Sequence, residues 1–255
     1  MRGLLMLSGL YWRGLSNSAK VELRHNRIAS PDLSTPFDGF TILQISDLDV
    51  EMSEAAMGRV AELVGGISYD ICVLTGDYRA QTRLPAWRAS ISALKDPSSA
   101  CSAITITICM VPLLEQMGIS MLLNESETIE RGGARIHLAG IDDAHFYRMD
   151  NIEKAAKGIP HHEFSILLSH TPEIFRLAAH ADFNVLLSGH THGGQLCLPG
   201  GVPVTFNCVL PRFMGRGRFK YHDMIGYTSA GAGACIVPVR FNCPPEITLH
   251  TFRRL

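Results

Sequence analysis

The chain predicts an α/β fold in four layers, two mixed sheets packed face to face with helices on the outside. Three observations predict it. Short apolar, β-rich runs alternate with segments of helical spacing through the first two thirds of the 255 residues. From Leu196 on, the chain is turn-rich and strand-like. Four of the apolar runs end in Asp or His, and in open α/β sheets the carboxyl ends of strands are where sites assemble. Early strand–helix alternation followed by a β-rich tail asks for two packed sheets with helices covering them.

The elements follow in order. Ile28 to Phe40, with Pro31, Pro36 and Gly39, reads as a surface lead-in. A strand is predicted over Thr41–Ile45 and a helix over Glu51–Val64, where Met52, Ala56, Val60, Leu63 and Val64 form one apolar face. A strand at Ile71–Leu74, a helix at Leu84–Leu94, and strands at Ser120–Leu123 and Arg135–Gly140 come next. Then follow a helix over Asn151–Lys157, a strand over Phe164–Leu168 and a helix over Pro172–Ala179 with proline in its first turn. Strands at Phe183–Leu187 and Glu246–Phe252 complete the pattern.

Composition narrows the function classes. A chain 46% hydrophobic and 18% charged builds a substantial core and fits one large domain. A formal net charge of −1 gives no global attraction for nucleic acid. Seven cysteines (Cys72, Cys101, Cys109, Cys197, Cys208, Cys235, Cys243) are odd in number and contain no C-x-x-C pair. They read as reduced thiols in a cytoplasmic protein, not as a disulfide framework or a zinc knuckle. Residues 3–12 are apolar between Arg2 and Arg13, too short for the ~20 residues that span a bilayer. That segment is expected to touch a membrane surface peripherally, or to pack as an N-terminal helix. The chain divides into residues 1–36, an apolar segment and lead-in, and residues 37–255, the main domain.

The strand ends carry the chemistry. Thr41–Ile45 runs into Ser46-Asp47-Leu48-Asp49, and Ile71–Leu74 into Thr75-Gly76-Asp77. Phe164–Leu168 runs into Ser169-His170, and Asn184–Leu187 into Ser188-Gly189-His190-Thr191-His192. One Asp after a strand is often only a helix cap. Four strand ends in series, all Asp or His, are hard to explain that way. Carboxylates with neutral imidazoles are a metal-ligand set. Two ions ~3.5–4 Å apart can clamp a phosphoryl group and activate a water. His145 and His161-His162 read as polar-loop residues and are assigned no metal.

In order and in flanks, these motifs resemble the calcineurin-like metallophosphoesterases. Asp47-Leu48-Asp49, Gly76-Asp77, His170 and Gly189-His190-Thr191-His192 stand where that family has Asp-x-His, Gly-Asp, a lone His and Gly-His-x-His. Gln44-Ile45-Ser46-Asp47-Leu48, Leu168-Ser169-His170-Thr171-Pro172 and Arg240-Phe241-Asn242-Cys243-Pro244-Pro245-Glu246-Ile247 resemble its small bacterial, membrane-associated phosphodiesterase branch, related to UDP-diacylglucosamine hydrolases. The resemblance spans roughly Phe37 to Phe252. It implies that residues 37–255 are a metallophosphoesterase domain, a four-layer α/β/β/α sandwich, at the inner face of a bacterial membrane. One divalent ion would sit on Asp47, Asp49, Asp77 and His192, and a second on Asp77, an asparagine, His170 and His190. Mn²⁺ is the leading candidate, with Mg²⁺, Fe and Zn²⁺ as alternatives. The implied substrate is a phosphoester, a phosphodiester or pyrophosphate, with a lipid-linked one included.

Two departures stand out. Asp49 replaces the family's histidine, which favours harder ions. The Gly-Asn-His-Asp element, with the leaving-group histidine, is missing: Ala100-Cys101-Ser102-Ala103-Ile104-Thr105-Ile106 holds no Asn, His or Asp. One set of codons for that stretch, GCG-TGC-TCG-GCA-ATC-ACG-AT, spells Val-Leu-Gly-Asn-His-Asp from its third base, as a local shift of reading frame would. The expected activity is a two-metal phosphoesterase with an impaired site. The alternative is an inactive, metal-binding relative of the same fold.

Overall fold

Two sheets lie back to back at the centre of the molecule. The computed structural model describes residues 6, 9–48, 53–77, 111–116 and 118–255. In the first sheet, β1 (Glu22–Ser30) lies beside β12 (Glu246–Arg254), followed by β2 (Thr41–Ile45) and β3 (Ile71–Leu74). The second runs β10 (Gly217–Tyr221), β11 (Met224–Thr228), β7 (Val185–Ser188), β6 (Phe164–Leu168), β5 (Ala134–Gly140) and β4 (Glu125–Arg131). Both sheets mix parallel and antiparallel pairs. A two-stranded ribbon, β8 (Cys197–Leu198) and β9 (Val202–Pro203), stands apart.

Strand alternation sorts side chains into layers. Ile42, Val73 and Phe252 of the first sheet meet Leu138, Ile166 and Leu187 of the second in the central layer. Leu43, Ile45, Cys72 and Leu74 point the other way, onto Ala56, Met57, Val60 and Val64 of α2 (Glu54–Gly65) and Leu114 of α3 (Val111–Gln116). On the far side, Ala139, Leu167 and Leu186 are covered by Ala155 of α4 (Ile152–Ala156) and Phe175 and Ala178 of α5 (Phe175–His180). The four-layer α/β/β/α sandwich is the fold the sequence predicts.

The strands at 41–45, 71–74 and 164–168 fall where predicted. The first helix starts at Glu54, because Ser53 caps it by accepting from Ala56 N–H at 3.1 Å. No strand forms at 120–123, where Met121 and Leu122 are buried in irregular chain. The strand comes after it, as β4, whose largely exposed residues hide its period at a sheet edge. The Gly132-Gly133 turn joins β4 to β5 with both φ positive, as a tight hairpin requires. The predicted 172–179 helix splits into a 3₁₀ turn, Pro172–Ile174, and α5. The predicted Leu84–Leu94 helix lies outside the described residues, as do Asp49 and residues 78–110.

The surface lead-in is a correction. Ile28 and Ser30 form the buried side of β1, and Leu33, Phe37 and Phe40 are all buried in the central layer. The charged residues of β1, Glu22, Arg24 and Arg27, mask its strand period because it lies at the sheet edge. Before it, α1 (Leu10–Ser18) packs on residues 238–241, with Gly14 pressed against Val239 and Phe241 and Leu10 and Trp12 exposed. Among the described residues, no helix is long and apolar enough to cross a membrane.

Candidate metal centre

Each predicted site residue in the described chain leaves the carboxyl end of a strand in a tight turn. Asp47 follows β2, Asp77 follows β3, His170 follows β6, and His190 and His192 follow β7. Asp47, Asp77, His190 and His192 all have positive φ, between 46° and 69°. Left-handed backbone is uncommon for such residues and persists where the surroundings impose it. Here they do. The Asp47 N–H donates to Gly76 O at 3.1 Å, and the Asp47 carboxylate accepts from Ser46 Oγ and from His190 N–H at 2.9 Å. A Cβ on Gly76 (φ 112°) would overlap the His170 ring, and one on Gly189 would overlap Ser46 Oγ and the Asp47 carboxylate. The glycines of both motifs are therefore steric requirements of the site.

The turns bring five residues together. Asp47, Asp77 and His192 each offer one ligand atom, all within 4.8 Å of one another. His192 Nε2 lies 3.7 Å from Asp47 Oδ1, and His170 Nε2 lies 3.8 Å from Asp77 Oδ2. His190 Nδ1 meets His170 Nε2 at 3.0 Å, while His170 Nδ1 contacts Thr75 O and His190 Nε2 contacts Asn207 O, each at 3.0 Å. All five are buried. Asp49, the sixth predicted ligand, lies outside the described residues.

Burial pushes the Asp47 carboxyl up to about 6, and the Asp77 carboxylate adds to this, against the opposing pull of His170. Burial lowers His190 to about 3, helped by His170 and His145. His192 is held well below the ordinary histidine range by burial and then by the Arg240 cation. Neutral imidazoles are the ligand form, and two carboxylates crowded out of water are relieved by a divalent cation. The donor set fits a metal.

The structure adds residues that sequence reasoning passed over. His145, read as a polar-loop histidine, packs against His190 with ring centroids 4.3 Å apart and the planes tilted by 49°. Its Nδ1 lies 2.6 Å from Glu173 Oε2. Although burial works the other way, hydrogen bonds from Val209 N–H and His145 hold Glu173 below the usual carboxylate range. The signal for this loop is Asp143, whose buried carboxylate accepts from the N–H groups of His145, Phe146 and Tyr147. A cleft of about 180 Å³ opens on Asp77, His190 and His192 between Phe146, Leu196 and Ile236.

No protein-family model matches the chain. It is 28% identical over 261 residues to the uncharacterized metallophosphoesterase YkoQ of Bacillus subtilis, covering 97% of this chain and 96% of that protein. It is 26% identical to YkuE of the same organism, also named an uncharacterized metallophosphoesterase, covering 91% and 86%. Among solved structures it resembles the NAD nucleotidase of Haemophilus influenzae, with a TM-score of 0.51 and 16% identity. That match covers 76% of this chain and 50% of the nucleotidase, so the chain spans about half the length of that structure. The sandwich is thus the metallophosphoesterase fold. More narrowly, the chain is similar over nearly its whole length to bacterial proteins named metallophosphoesterases.

Proposed function

We propose that this chain is a metal-dependent phosphoesterase that cleaves a phosphodiester or pyrophosphate at a two-metal centre. The observation that carries the reading is the convergence of Asp47, Asp77 and His192 within 4.8 Å in a buried pocket. Asp47, Asp49, Asp77 and His192 would hold one divalent ion, and Asp77, His170 and His190 the other. Such ions, Mn²⁺ first among them, supply charge stabilisation of the phosphoryl group and an activated water. The protein's own part is to hold these side chains in fixed turns at the floor of a cleft walled by Phe146 and Leu196. An apolar cleft wall beside the site, and exposed Leu10 and Trp12 on α1, support a lipid-linked substrate met at a membrane surface.

A second reading, an impaired or inactive enzyme that still binds metal, is favoured by one observation. Residues 100–109 contain no Asn, His or Asp. One experiment separates the two. Mn²⁺-dependent hydrolysis of bis(p-nitrophenyl) phosphate is measured for this chain and for the fourfold variant Ala103→Gly, Ile104→Asn, Thr105→His, Ile106→Asp. The expected outcome is activity raised at least ~100-fold in the variant, the usual worth of a proton-transferring histidine. No hydrolysis by either chain would refute the phosphoesterase reading. Equal activity in both would refute the impairment.

A further inference from the structure

We propose that Arg240 is a positioning residue of this centre, a clasp that holds the Asp47 and His192 turns in place from behind. The inference rests on the metal-centre reading above and concerns a residue that the sequence pattern marks only as part of the Arg240–Ile247 motif. Arg240 is the largest fully buried side chain among the described residues. Its guanidinium donates to Ala230 O (2.7 Å), Gly231 O (3.2 Å), Gly233 O (2.6 Å) and His192 O (3.2 Å). One side chain therefore grips both the 230–233 loop and the backbone of a ligand histidine.

The loop it grips is in turn bonded to the other ligand turn. Ala232 N–H donates to Ser46 O at 2.9 Å and Gly233 N–H to Asp47 O at 2.7 Å. Glu246, from the same motif, completes the hold. Its carboxylate accepts from Ala230 N–H, and its own N–H donates to Gly231 O at 2.9 Å. The contact is too close for side chains: a Cβ on Gly231 would stand 2.7 Å from Asp47 Cβ, and one on Gly233 would overlap Asp47 and Leu48 backbone. The positive φ of Asp47 is thus imposed by a loop whose carbonyls converge on Arg240.

Only arginine meets the requirement. Buried carbonyls need donors, and these point at one plane from several directions. The guanidinium offers five donors in a rigid fork, whereas lysine offers three from one point. Burying a cation is costly, and burial lowers the Arg240 pKa. A purely architectural corner could be packed with apolar groups instead. The cation is placed where it fixes two ligand turns at once.

The test compares Arg240→Met and Arg240→Lys with Phe164→Leu, a destabilising core change at the opposite end of β6 from the centre. Two quantities are read: the Mn²⁺ dissociation constant by titration calorimetry, and amide hydrogen exchange at residues 232 and 233 in metal-free protein. Residues that orient metal ligands typically account for 10–100-fold in affinity. Arg240→Met is expected to weaken Mn²⁺ at least ~10-fold and to deprotect residues 232 and 233, while β6 stays protected. Arg240→Lys falls between, and Phe164→Leu changes neither quantity. If Arg240→Met does not fold, Arg240→Lys decides by the same two readouts. Lost protection with wild-type Mn²⁺ affinity would reduce Arg240 to a structural residue and overturn the proposal. Intact protection at 232 and 233 would remove the clasp itself. A wild-type chain that binds no Mn²⁺ would overturn the metal-centre reading, and the positioning role with it.

Discussion

His250 on β12 sets a measurable limit to acid stability. It is fully buried, with its ring 4.9 Å from that of Tyr227. Gln44 Nε2 donates to Thr75 Oγ1 and Ser188 O, which leaves Gln44 Oε1 to accept from His250 Nε2–H at 2.9 Å. Asn26 Nδ2 lies 2.9 Å from His250 Nδ1 and must donate to it. Both ring nitrogens are therefore committed to one neutral tautomer, and a second proton on Nδ1 would face an amide N–H₂. Burial accordingly lowers His250 to about 3. Unfolded, it titrates near 6.5. Because the folded pKa is depressed, the unfolded chain binds the extra proton as pH falls below 6.5, and stability is lost down to about 3. Between pH 7 and 5 this residue alone removes about 2 kcal/mol. The assay is urea unfolding of wild type and His250→Gln at pH 7, 6 and 5. The cost of the substitution at pH 7 is expected to shrink by about 2 kcal/mol at pH 5. A substitution cost that does not change with pH would refute the reasoning, because it would mean His250 accepts a proton without leaving its network.

Gly76→Ala places a methyl in the His170 ring at a φ of 112°. It is expected to cost about 1–3 kcal/mol, read as a fall in Tm, and to lower the Mn²⁺ bound per chain. A variant with wild-type Tm would show that the turn relaxes freely. Asp77→Ala and His192→Ala are each expected to abolish Mn²⁺ binding in calorimetry; full retention in Asp77→Ala would remove its bridging role. In the wild type, Mn²⁺ at about 100 times its dissociation constant should add about 2.7 kcal/mol to unfolding stability, reversed by a chelator.

Much of this arrangement is legible from sequence where both faces of an element are buried. β2, β3 and β6 are mostly apolar, buried runs because sheet covers one side and helix the other. β1 and β4 lie at sheet edges, where charged residues interrupt the period, and both escape a reading by pattern. The candidate ligands at strand ends are visible for the same reason: Asp47, Asp77, His170, His190 and His192 each follow an apolar strand. His145 and Arg240 were not. His145 reaches the site through a turn made by Asp143 and a bond to Glu173, neither of which has a period. Arg240 has meaning only beside the carbonyls of a loop seven to ten residues before it and a turn 48 residues before it.

The place of β12 governs the order in which this protein can be made. It lies between β1 and β2, parallel to one and antiparallel to the other. Among the described strands, β1 and β2 therefore have no direct pairing with each other, and β1 waits for β12. At about 5–20 residues per second, β1 stays without its partner for roughly 10–40 s while the intervening chain is synthesised. The second sheet, built from strands between residues 125 and 228, is synthesised entirely within that wait. Nascent chains should therefore hold an open, apolar sheet edge for most of synthesis, and pairings this distant are closed slowly. Chaperone demand in the cell should fall on this one missing strand.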